Sequence, residues 1–231
     1  TALQVAESIG KRLASDAIVA EANGTLIDLP TAIEADANFK VHTFSSEQGK
    51  KVFWHSASHL LEQAVKRLYP KAKLAIGPAI EEGFYYDIAN EPVHPSELEK
   101  IEAEMAKIVA ANYPVERRSL SAAEAKKMFS GNKYKIEIID EEAKGKEITA
   151  YRQGEFIDLC RGPHAPSTGA IKACKLTKVS SAYWRGDQKN DELQRIYGIA
   201  FPEKKQLDEY LNTRELAEKN DHRKLGKELD L

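Results

Sequence analysis

Four strand-like segments follow one another between residues 134 and 201, and no helical pattern separates them. A parallel sheet needs a crossover, usually a helix, between successive strands, so this order argues against repeating βαβ units. Helical patterns occur instead before this region. The order predicts an α+β fold in which packed helices precede an antiparallel sheet. The segments read YKIEIID, ITAYRQGEFIDLC, CKLTKVSSAYW and LQRIYGIAF.

The flanking segments divide the chain into three parts. Residues 1–45 combine a helix-like stretch, a hairpin about Asn23-Gly24 and the strand-like FKVHTF; Asn-Gly is the preferred pair for a two-residue hairpin turn. Residues 46–201 hold two longer helical patterns and the strand-like segments. Residues 202–231 read as one charged helix, which suits a linker.

Composition restricts the class of protein. The 231 residues carry 34 Lys and Arg against 36 Asp and Glu, so net charge gives no general indication of nucleic-acid binding. Two cysteines are too few for a disulfide framework, and no apolar run has the length of a membrane span. We therefore expect a cytoplasmic protein without a membrane partner. The chain starts without methionine and ends in a charged stretch, so we expect a piece of a longer protein.

The stretch HSASH places His55 and His59 one helical turn apart. At about 100° per residue, the apolar side chains of this helix group on one face. His55, His59 and Glu62 fall on the opposite face. The two histidines are therefore predicted to lie outside the apolar core, either in a polar site or on a solvated surface.

The stretch CRGPH adds a second pair of reactive side chains. Strand alternation through EFIDLC puts Asp158 and Cys160 on one face. The turn at Gly162-Pro163 then allows His164 to fold back toward Cys160. Lys135 alternates with apolar residues in YKIEIID, which predicts the polar face of a strand. On spacing alone, an ordinary surface lysine is the better interpretation of Lys135.

Three kinds of chemistry fit the four motif residues, which are His55, His59, Cys160 and His164. All are competent Zn²⁺ ligands in pairs spaced four apart, and spacing alone ranks zinc first. A pocket that binds an amino acid and steers a water molecule is the second possibility. A cysteine nucleophile with a histidine base ranks last, because no third orienting group is recognisable.

Longer stretches around the motifs resemble the editing domain of threonyl-tRNA synthetases. These stretches are HSASHLLEQAVKRLYPKAKLAIGPAIEEGFYYDI, YKIEII, DLCRGPH, SSAYWRGD and LQRIYGIAF. The resemblance implies a partial TGS-like β-grasp domain at 1–45, lacking its first hairpin, and an editing domain at 46–201. It also implies a linker helix at 202–231 toward an absent aminoacylation domain. Alanyl-tRNA synthetase editing domains share the two motifs but neither flanking segment.

The resemblance implies post-transfer editing. A binding pocket discriminates one methyl group by only about 1–3 kcal/mol, too little to separate serine from threonine accurately. A second site that hydrolyses the smaller, wrong product supplies the rest. The implied substrate is the ester of seryl-tRNA(Thr), with tRNA(Thr) as partner and threonyl-tRNA(Thr) spared. No ATP-binding segment is recognisable, so this chain alone is not expected to charge tRNA. Whether the full-length enzyme is a homodimer stays open.

The resemblance also assigns roles position by position, with His55 and Lys135 nearest the scissile ester and the attacking water. The implied catalytic residues are His55, Lys135, Asp158 and Cys160. The implied substrate-binding residues are His59, Tyr86 and His164. In the threonyl branch this set works without metal, so the resemblance implies no cofactor and reverses the preference for zinc.

A basic stretch near the end of the chain is predicted to meet tRNA. From Lys172 to Lys205, eight Lys or Arg stand against four Asp or Glu. Lys178 and Arg185 are the predicted phosphate contacts, whereas Trp184 is predicted to be a core residue. Two alternatives stay open: a zinc-stabilised RNA-binding module without catalysis, and an alanyl-type editing deacylase.

Overall fold

The computed structural model describes residues 1–142 and 147–228 and shows the predicted α+β fold. Its helices are α1 (Ala2–Ile9), α2 (Lys11–Asp16), α3 (Glu47–Leu68), α4 (Leu98–Ala111), α5 (Ala122–Met128), α6 (Lys133–Glu142) and α7 (Lys204–Glu228). Its strands are β1 (Ala17–Ala22), β2 (Thr25–Ile27), β3 (Phe39–Thr43), β4 (Lys73–Leu74), β5 (Phe84–Ala89), β6 (Val115–Leu120), β7 (Ile148–Gln153), β8 (Phe156–Leu159), β9 (Ala173–Tyr183) and β10 (Glu192–Phe201). They form antiparallel sheets in the orders β2-β1-β3, β4-β5-β10-β9 and β6-β7-β8.

The first sheet contains the hairpin predicted in the N-terminal segment. Asn23 and Gly24 join β1 to β2 with φ angles of 50° and 80°. Few residues tolerate positive φ at both central positions of a turn, which explains the Asn-Gly pair. Strand β3 pairs with the other edge of β1. The helix-like stretch before the sheet forms two short helices divided at Gly10.

Helix α3 is buried on both of its faces. It begins after Ser46, whose hydroxyl accepts the N–H of Gly49 at 3.1 Å, and it ends before Pro70. Its apolar stripe belongs to the main core, as the periodicity predicts. The third sheet covers the opposite face, where the Gln153 side chain on β7 donates to the carbonyl of His59 at 3.1 Å. The face predicted to be polar is therefore an interior polar face.

The segment YKIEIID, predicted as a strand, is helix α6. Tyr134 and Ile138 are four residues apart, a spacing that satisfies both strand alternation and helical periodicity. Packing decides between them, because the buried residues Tyr134, Lys135 and Ile139 lie along one side of a helix. The strand prediction is wrong, and so is the placement of Lys135 on the polar face of a strand.

The third sheet contains one strand that the sequence did not predict. Strand β6 reads VERRSL, and its four central residues are exposed, so it shows no alternation between buried and solvated positions. The stretch ITAYRQGEFIDLC forms the hairpin of β7 and β8, with Gly154 at φ 60° in its turn.

The charged segment after Pro202 forms helix α7. Residues 229–231, at the end of the predicted linker helix, lie outside the described residues. None of the helices in the described part of the chain combines the length and apolar character of a membrane span.

Candidate active site

The two sequence motifs meet in space. Helix α3 carries His55 and His59, and the chain after β8 carries Cys160 and His164. The centroids of the three imidazole rings lie 4.6–5.0 Å apart. The potential ligand atoms of all four motif residues lie within 4.8 Å of one another. The prediction that both motifs belong to one place is confirmed.

Local structure explains this convergence. The four-residue spacing on α3 puts both histidines on one side of the helix. Asp158, on β8, points inward and is 3% exposed, and Cys160 follows on the same side. Gly162, at φ 66°, precedes Pro163 through a cis peptide bond, and the chain turns there so that His164 reaches Cys160.

Hydrogen bonds determine the tautomer of His55. Its Nδ1 lies 3.2 Å from the carbonyl oxygen of Gly77. A carbonyl can only accept, so Nδ1 carries the proton. The Nε2 lone pair therefore faces the Cys160 sulfur at 2.9 Å, where the thiol donates.

Ser56 orients His164 in a similar way. Its hydroxyl donates to the carbonyl of Val52 and accepts the N–H of Ala165, both at 2.8 Å. It is therefore an acceptor toward Nδ1 of His164, 3.1 Å away, and Nδ1 carries the proton. The Nε2 lone pair of His164 faces the Cys160 sulfur at 3.1 Å. One thiol hydrogen thus serves two imidazole acceptors.

Burial keeps this cluster uncharged. Desolvation lowers the pKa of His55, and it lowers the pKa values of His59 and His164 further. It also raises the pKa of Cys160 to about 12. At neutral pH the cluster consists of neutral imidazoles and a thiol. Because the thiolate is the reactive form of cysteine, this state disfavours a cysteine nucleophile.

Lys135 is a buried residue, and its interpretation as an ordinary surface lysine is wrong. Its side chain is 3% exposed, and Nζ donates to Asp158 at 2.6 Å and to the Tyr86 hydroxyl oxygen at 3.1 Å. Burial lowers the pKa of Lys135, but the charge of Asp158 and its hydrogen bond to Nζ act in the opposite direction, and the pKa is raised overall. Lys135 is therefore an ammonium inside the protein.

Glu62 is a further residue of the site, although the sequence reasoning did not select it. The Tyr86 hydroxyl donates to its Oε1 at 2.5 Å. Its Oε2 lies 3.3 Å from Nδ1 of His59, yet it has no hydrogen-bond partner within the described residues. Burial, followed by the charge of Asp158, raises the pKa of Glu62 well above its usual range. A protonated Glu62 leaves the Lys135 ammonium paired with Asp158, 2.6 Å away.

A cavity of about 460 Å³ opens onto these groups. The polar part of its wall includes His55, His59, Tyr86, Lys135, Asp158 and Cys160, and the charged residues Glu141, Glu142 and Arg161 also line the cavity. Glu62 and His164 lie behind this wall, where they contact Tyr86 and Cys160. The site therefore has a wall of reactive groups and a layer behind it that fixes their orientation.

A wider cavity of about 1010 Å³ adjoins the first. His55, Pro78 and Gly162 belong to the walls of both cavities. Lys50 and Lys51 lie in the wall of the wider cavity and not in that of the first. A small polar pocket thus opens into a larger space whose charged lining residues are Lys50, Lys51, Glu47 and Glu81.

Comparison with known proteins relates this site to a family. Residues 148–197 match the family described as "Threonyl and Alanyl tRNA synthetase second additional domain". The whole chain is 56% identical to the threonine–tRNA ligase of Carboxydothermus hydrogenoformans, and it covers 37% of that protein. By its sequence, this chain belongs to the threonyl-tRNA synthetase family. It is also 53% and 50% identical, over its whole length, to the threonine–tRNA ligases of Caldanaerobacter subterraneus subsp. tengcongensis and Halorhodospira halophila, of which it covers 36% and 37%.

In this segment of a threonyl-tRNA synthetase, the structure brings together every residue predicted to contact the amino acid or its ester. Those residues are His55, His59, Tyr86, Lys135, Asp158, Cys160 and His164. Their roles stay predictions. The chain spans little more than a third of the length of the curated relatives it matches.

The two residues predicted to contact tRNA lie outside this cavity wall. Lys178, on β9, lies over the ring of Tyr197 at 4.4 Å. Arg185 forms ion pairs with Glu137 at 2.8 Å and Glu141 at 2.7 Å, so a phosphate would compete with two carboxylates for it. Trp184 is buried, and its prediction as a core residue is confirmed.

Proposed function

We propose that this chain hydrolyses the aminoacyl ester of seryl-tRNA(Thr) and spares threonyl-tRNA(Thr), as the editing part of a threonine–tRNA ligase. The observation that carries the proposal is a buried ammonium, Lys135, beside a neutral imidazole, His55, in the wall of one small cavity. A fixed cation in a dry site stabilises a developing oxyanion far better than a solvated one does. A neutral imidazole nitrogen accepts a hydrogen bond from an attacking water.

The proposed reaction is ester hydrolysis. Water attacks the carbonyl carbon, and the bond from that carbon to the ribose oxygen of the terminal adenosine breaks. Lys135 faces the carbonyl oxygen, where negative charge develops. The water donates to Nε2 of His55 in place of the Cys160 thiol, whose hydrogen His164 accepts instead. The proton that water loses is delivered to the departing ribose oxygen, which gives serine and uncharged tRNA.

Rigidity of the cavity wall is the proposed source of selectivity. Tyr86 and Cys160 are hydrogen-bonded from behind by Glu62 and His164, so they cannot move without losing these bonds. The additional methyl group of threonine would displace the ester from its reactive position. A misplacement of about 1 Å can slow a reaction about a hundredfold.

The wider cavity beside His55 is the proposed place of the terminal adenosine. It adjoins the small cavity at the point where the ester would lie. Lys50 and Lys51 are suitable there for contacts with backbone phosphates, which position a nucleic acid without reading its sequence. We therefore rank Lys50 ahead of Lys178 and Arg185 as a contact near the 3′ end of tRNA(Thr), whereas Lys51 already pairs with Glu47 at 2.6 Å.

The second candidate function is a zinc-stabilised RNA-binding module without catalysis. The donor set of the four motif residues fits Zn²⁺, which would tie α3 to the loop after β8. The distances favour hydrogen bonds instead. The sulfur–nitrogen separations from Cys160 to His55 and His164 are 2.9 and 3.1 Å. Ligands of a tetrahedral zinc, with bonds of about 2.0 and 2.3 Å, stand about 3.5 Å apart.

A deacylation assay tests the proposed function. The purified chain is incubated with seryl-tRNA(Thr), threonyl-tRNA(Thr) and seryl-tRNA(Ala), and we expect it to clear the first and spare the second. Equal clearance of the two tRNA(Thr) esters would contradict the selectivity, and clearance of seryl-tRNA(Ala) alone would indicate an alanyl-type deacylase. Stoichiometric zinc, with unfolding on chelation and no hydrolysis, would support the RNA-binding module.

A further inference from the structure

Asp28 reaches the candidate active site from the N-terminal sheet. It directly follows β2, and it contacts the chain beyond β8 across 136 positions of sequence. Its Oδ1 accepts the backbone N–H of His164 at 2.8 Å. Its Oδ2 accepts the hydroxyl of Tyr151 at 2.6 Å. Each carboxylate oxygen therefore binds a different donor beside the site.

Tyr151 connects Asp28 to the imidazole of His164 through a second set of contacts. The Tyr151 ring, on β7, lies 4.4 Å from the His164 ring between centroids. Burial, followed by the hydrogen bond to Asp28, raises the pKa of Tyr151, so its hydroxyl stays a donor. A Cβ at Gly162 would lie 1.9 Å from the Tyr151 hydroxyl oxygen, so only glycine lets the loop pass this close.

These contacts constrain His164 from three sides. Asp28 holds its backbone, the Tyr151 ring lies against its imidazole, and Ser56 binds Nδ1 at 3.1 Å. The remaining ring nitrogen, Nε2, faces the sulfur of Cys160 at 3.1 Å. The carboxylate of Asp28, which follows β2, therefore holds one of the hydrogen-bond partners of the Cys160 thiol in place.

We propose that Asp28 is a positioning residue of the candidate active site, acting through His164 and Tyr151. The kinetic part of this inference rests on the proposed editing function. A purely structural role for Asp28 makes a different prediction, because loss of a contact between sheets would lower stability without acting specifically through His164.

Single-turnover hydrolysis of seryl-tRNA(Thr) at saturating enzyme tests the kinetic part. We expect Asp28→Ala to lower the rate by about tenfold to a hundredfold, the range expected for loss of charge-assisted hydrogen bonds and slight misplacement. Tyr151→Phe removes only one hydroxyl and should lower the rate in the same direction with the fold retained. Glu34→Ala, at an exposed carboxylate of the same N-terminal segment, is the matched control.

A double-mutant cycle separates positioning from a general structural effect. In a His164→Ala background, we expect Asp28→Ala to change the rate by no more than about twofold, because the imidazole that Asp28 positions is gone even though the backbone N–H stays. An undiminished effect of Asp28→Ala in that background would overturn the inference.

The imidazole signals of the protein give a readout that does not need activity. The chain has six histidines, so the side-chain nitrogen resonances of His164 can be assigned by their loss in His164→Ala. We expect Tyr151→Phe and Asp28→Asn to shift these resonances, and Glu34→Ala to leave them in place. Unshifted His164 resonances in both variants would overturn the inference, whereas a parent chain without hydrolysis would contradict only the proposed function.

Discussion

Two buried carboxylates, Glu62 and Asp158, lie near the single ammonium of Lys135. Ionisation of both would leave one negative charge unbalanced in a dry site, which is costly. The pKa of Glu62 is raised above its unfolded value of 4.5, so the folded chain holds a proton that the unfolded chain releases. Stability therefore decreases at this residue as the pH rises above that value.

Substitution of Glu62 by glutamine should remove this pH-dependent cost. Glutamine resembles the protonated carboxyl in size, and its amide oxygen can still accept the Tyr86 hydroxyl. We expect the Tm difference between Glu62→Gln and the parent to move in favour of the variant from pH 5 to pH 8. Thermal unfolding at both pH values measures this difference, with the exposed Glu99→Gln as control. If the Tm of the variant instead falls relative to that of the parent from pH 5 to pH 8, Glu62 is ionised in the folded chain.

Lys135 gives a separate prediction for the chemical step. We expect Lys135→Ala to lower the single-turnover rate about a hundredfold to a thousandfold, the usual effect of losing one preorganised donor to an oxyanion. Lys178→Ala is the control, since Lys178 is absent from the cavity wall and its loss should affect tRNA affinity and salt dependence only.

Loss of Lys135 also leaves Asp158 without its partner, so instability has to be separated from the loss of chemistry. A buried charge without a partner costs about 3–5 kcal/mol. The double variant Lys135→Ala/Asp158→Asn removes that charge, and we expect it to regain Tm without regaining rate. A rate within a few-fold of the parent in Lys135→Ala would contradict a catalytic role.

The wall of the site could be predicted from the sequence more fully than the layer of residues behind it. His55, His59 and Cys160 could be found because reactive residue types recur at short, regular spacing. Ser56 and Asp28 belong to residue types that are common on surfaces, and their roles depend on partners more than 100 positions away. Such partners become visible only when the fold brings distant segments together.

At the scale of elements, the segment from Tyr134 to Ile139 shows where local pattern is insufficient. In a strand, Ile136 and Ile138 would share one face with Tyr134, and Ile139 would point away from that face. In helix α6, Ile139 is fully buried and Ile136 only partly. The apolar residues of this segment fit both strand alternation and helical periodicity. The packing of Ile139 against Ala125 and Ile148 selects the helix.

A strand and a helix at this segment predict opposite orders for the destabilisation caused by Ile139→Ala and Ile136→Ala. Because Ile139 is the buried residue, we expect Ile139→Ala to lower the free energy of unfolding by about 2–5 kcal/mol. Ile136→Ala should cost clearly less, since Ile136 keeps contact with solvent. Urea unfolding of the two variants measures the order. A larger loss for Ile136→Ala would indicate that this segment is a strand.

Element boundaries followed the strongest local signals. The Ser121 hydroxyl accepts the N–H of Glu124, and the Ser121 N–H donates to the Glu124 carboxylate, so a capping box marks the start of α5. Helix α4 begins at Leu98 after a short turn in which Glu97 accepts the N–H of His94 at 2.9 Å. Strand β6 escaped prediction because an exposed edge strand needs no apolar alternation.

At the scale of the whole molecule, the buried histidines make stability depend on pH. Burial lowers the pKa values of His55, His59 and His164 below the unfolded value of 6.5. As the pH falls below that value, the unfolded chain takes up protons that the folded chain does not, so stability decreases. The raised pKa of Glu62 increases stability as the pH falls, but this is the effect of one group and the three histidines together outweigh it.

We therefore expect the free energy of unfolding to fall between pH 7 and pH 5. Each histidine contributes up to about 1.4 kcal/mol per pH unit below its unfolded pKa. Urea titrations at several pH values measure the slope, and His59→Gln should reduce it. A slope of zero in the parent, or one unchanged in His59→Gln, would show that these imidazoles are protonated in the folded state.

The candidate site is built from two segments that the ribosome synthesises at different times. Residues 105 positions apart meet at the hydrogen bond between His55 and Cys160. At about 5–20 residues per second, a ribosome needs several seconds or more to add that much chain. Throughout this interval, the polar face of α3 must stay in water without the sheet that later covers it. The histidines and Glu62 on that face keep a nascent helix hydrated. A helix that was apolar on all sides would instead expose apolar surface and promote aggregation with neighbouring chains.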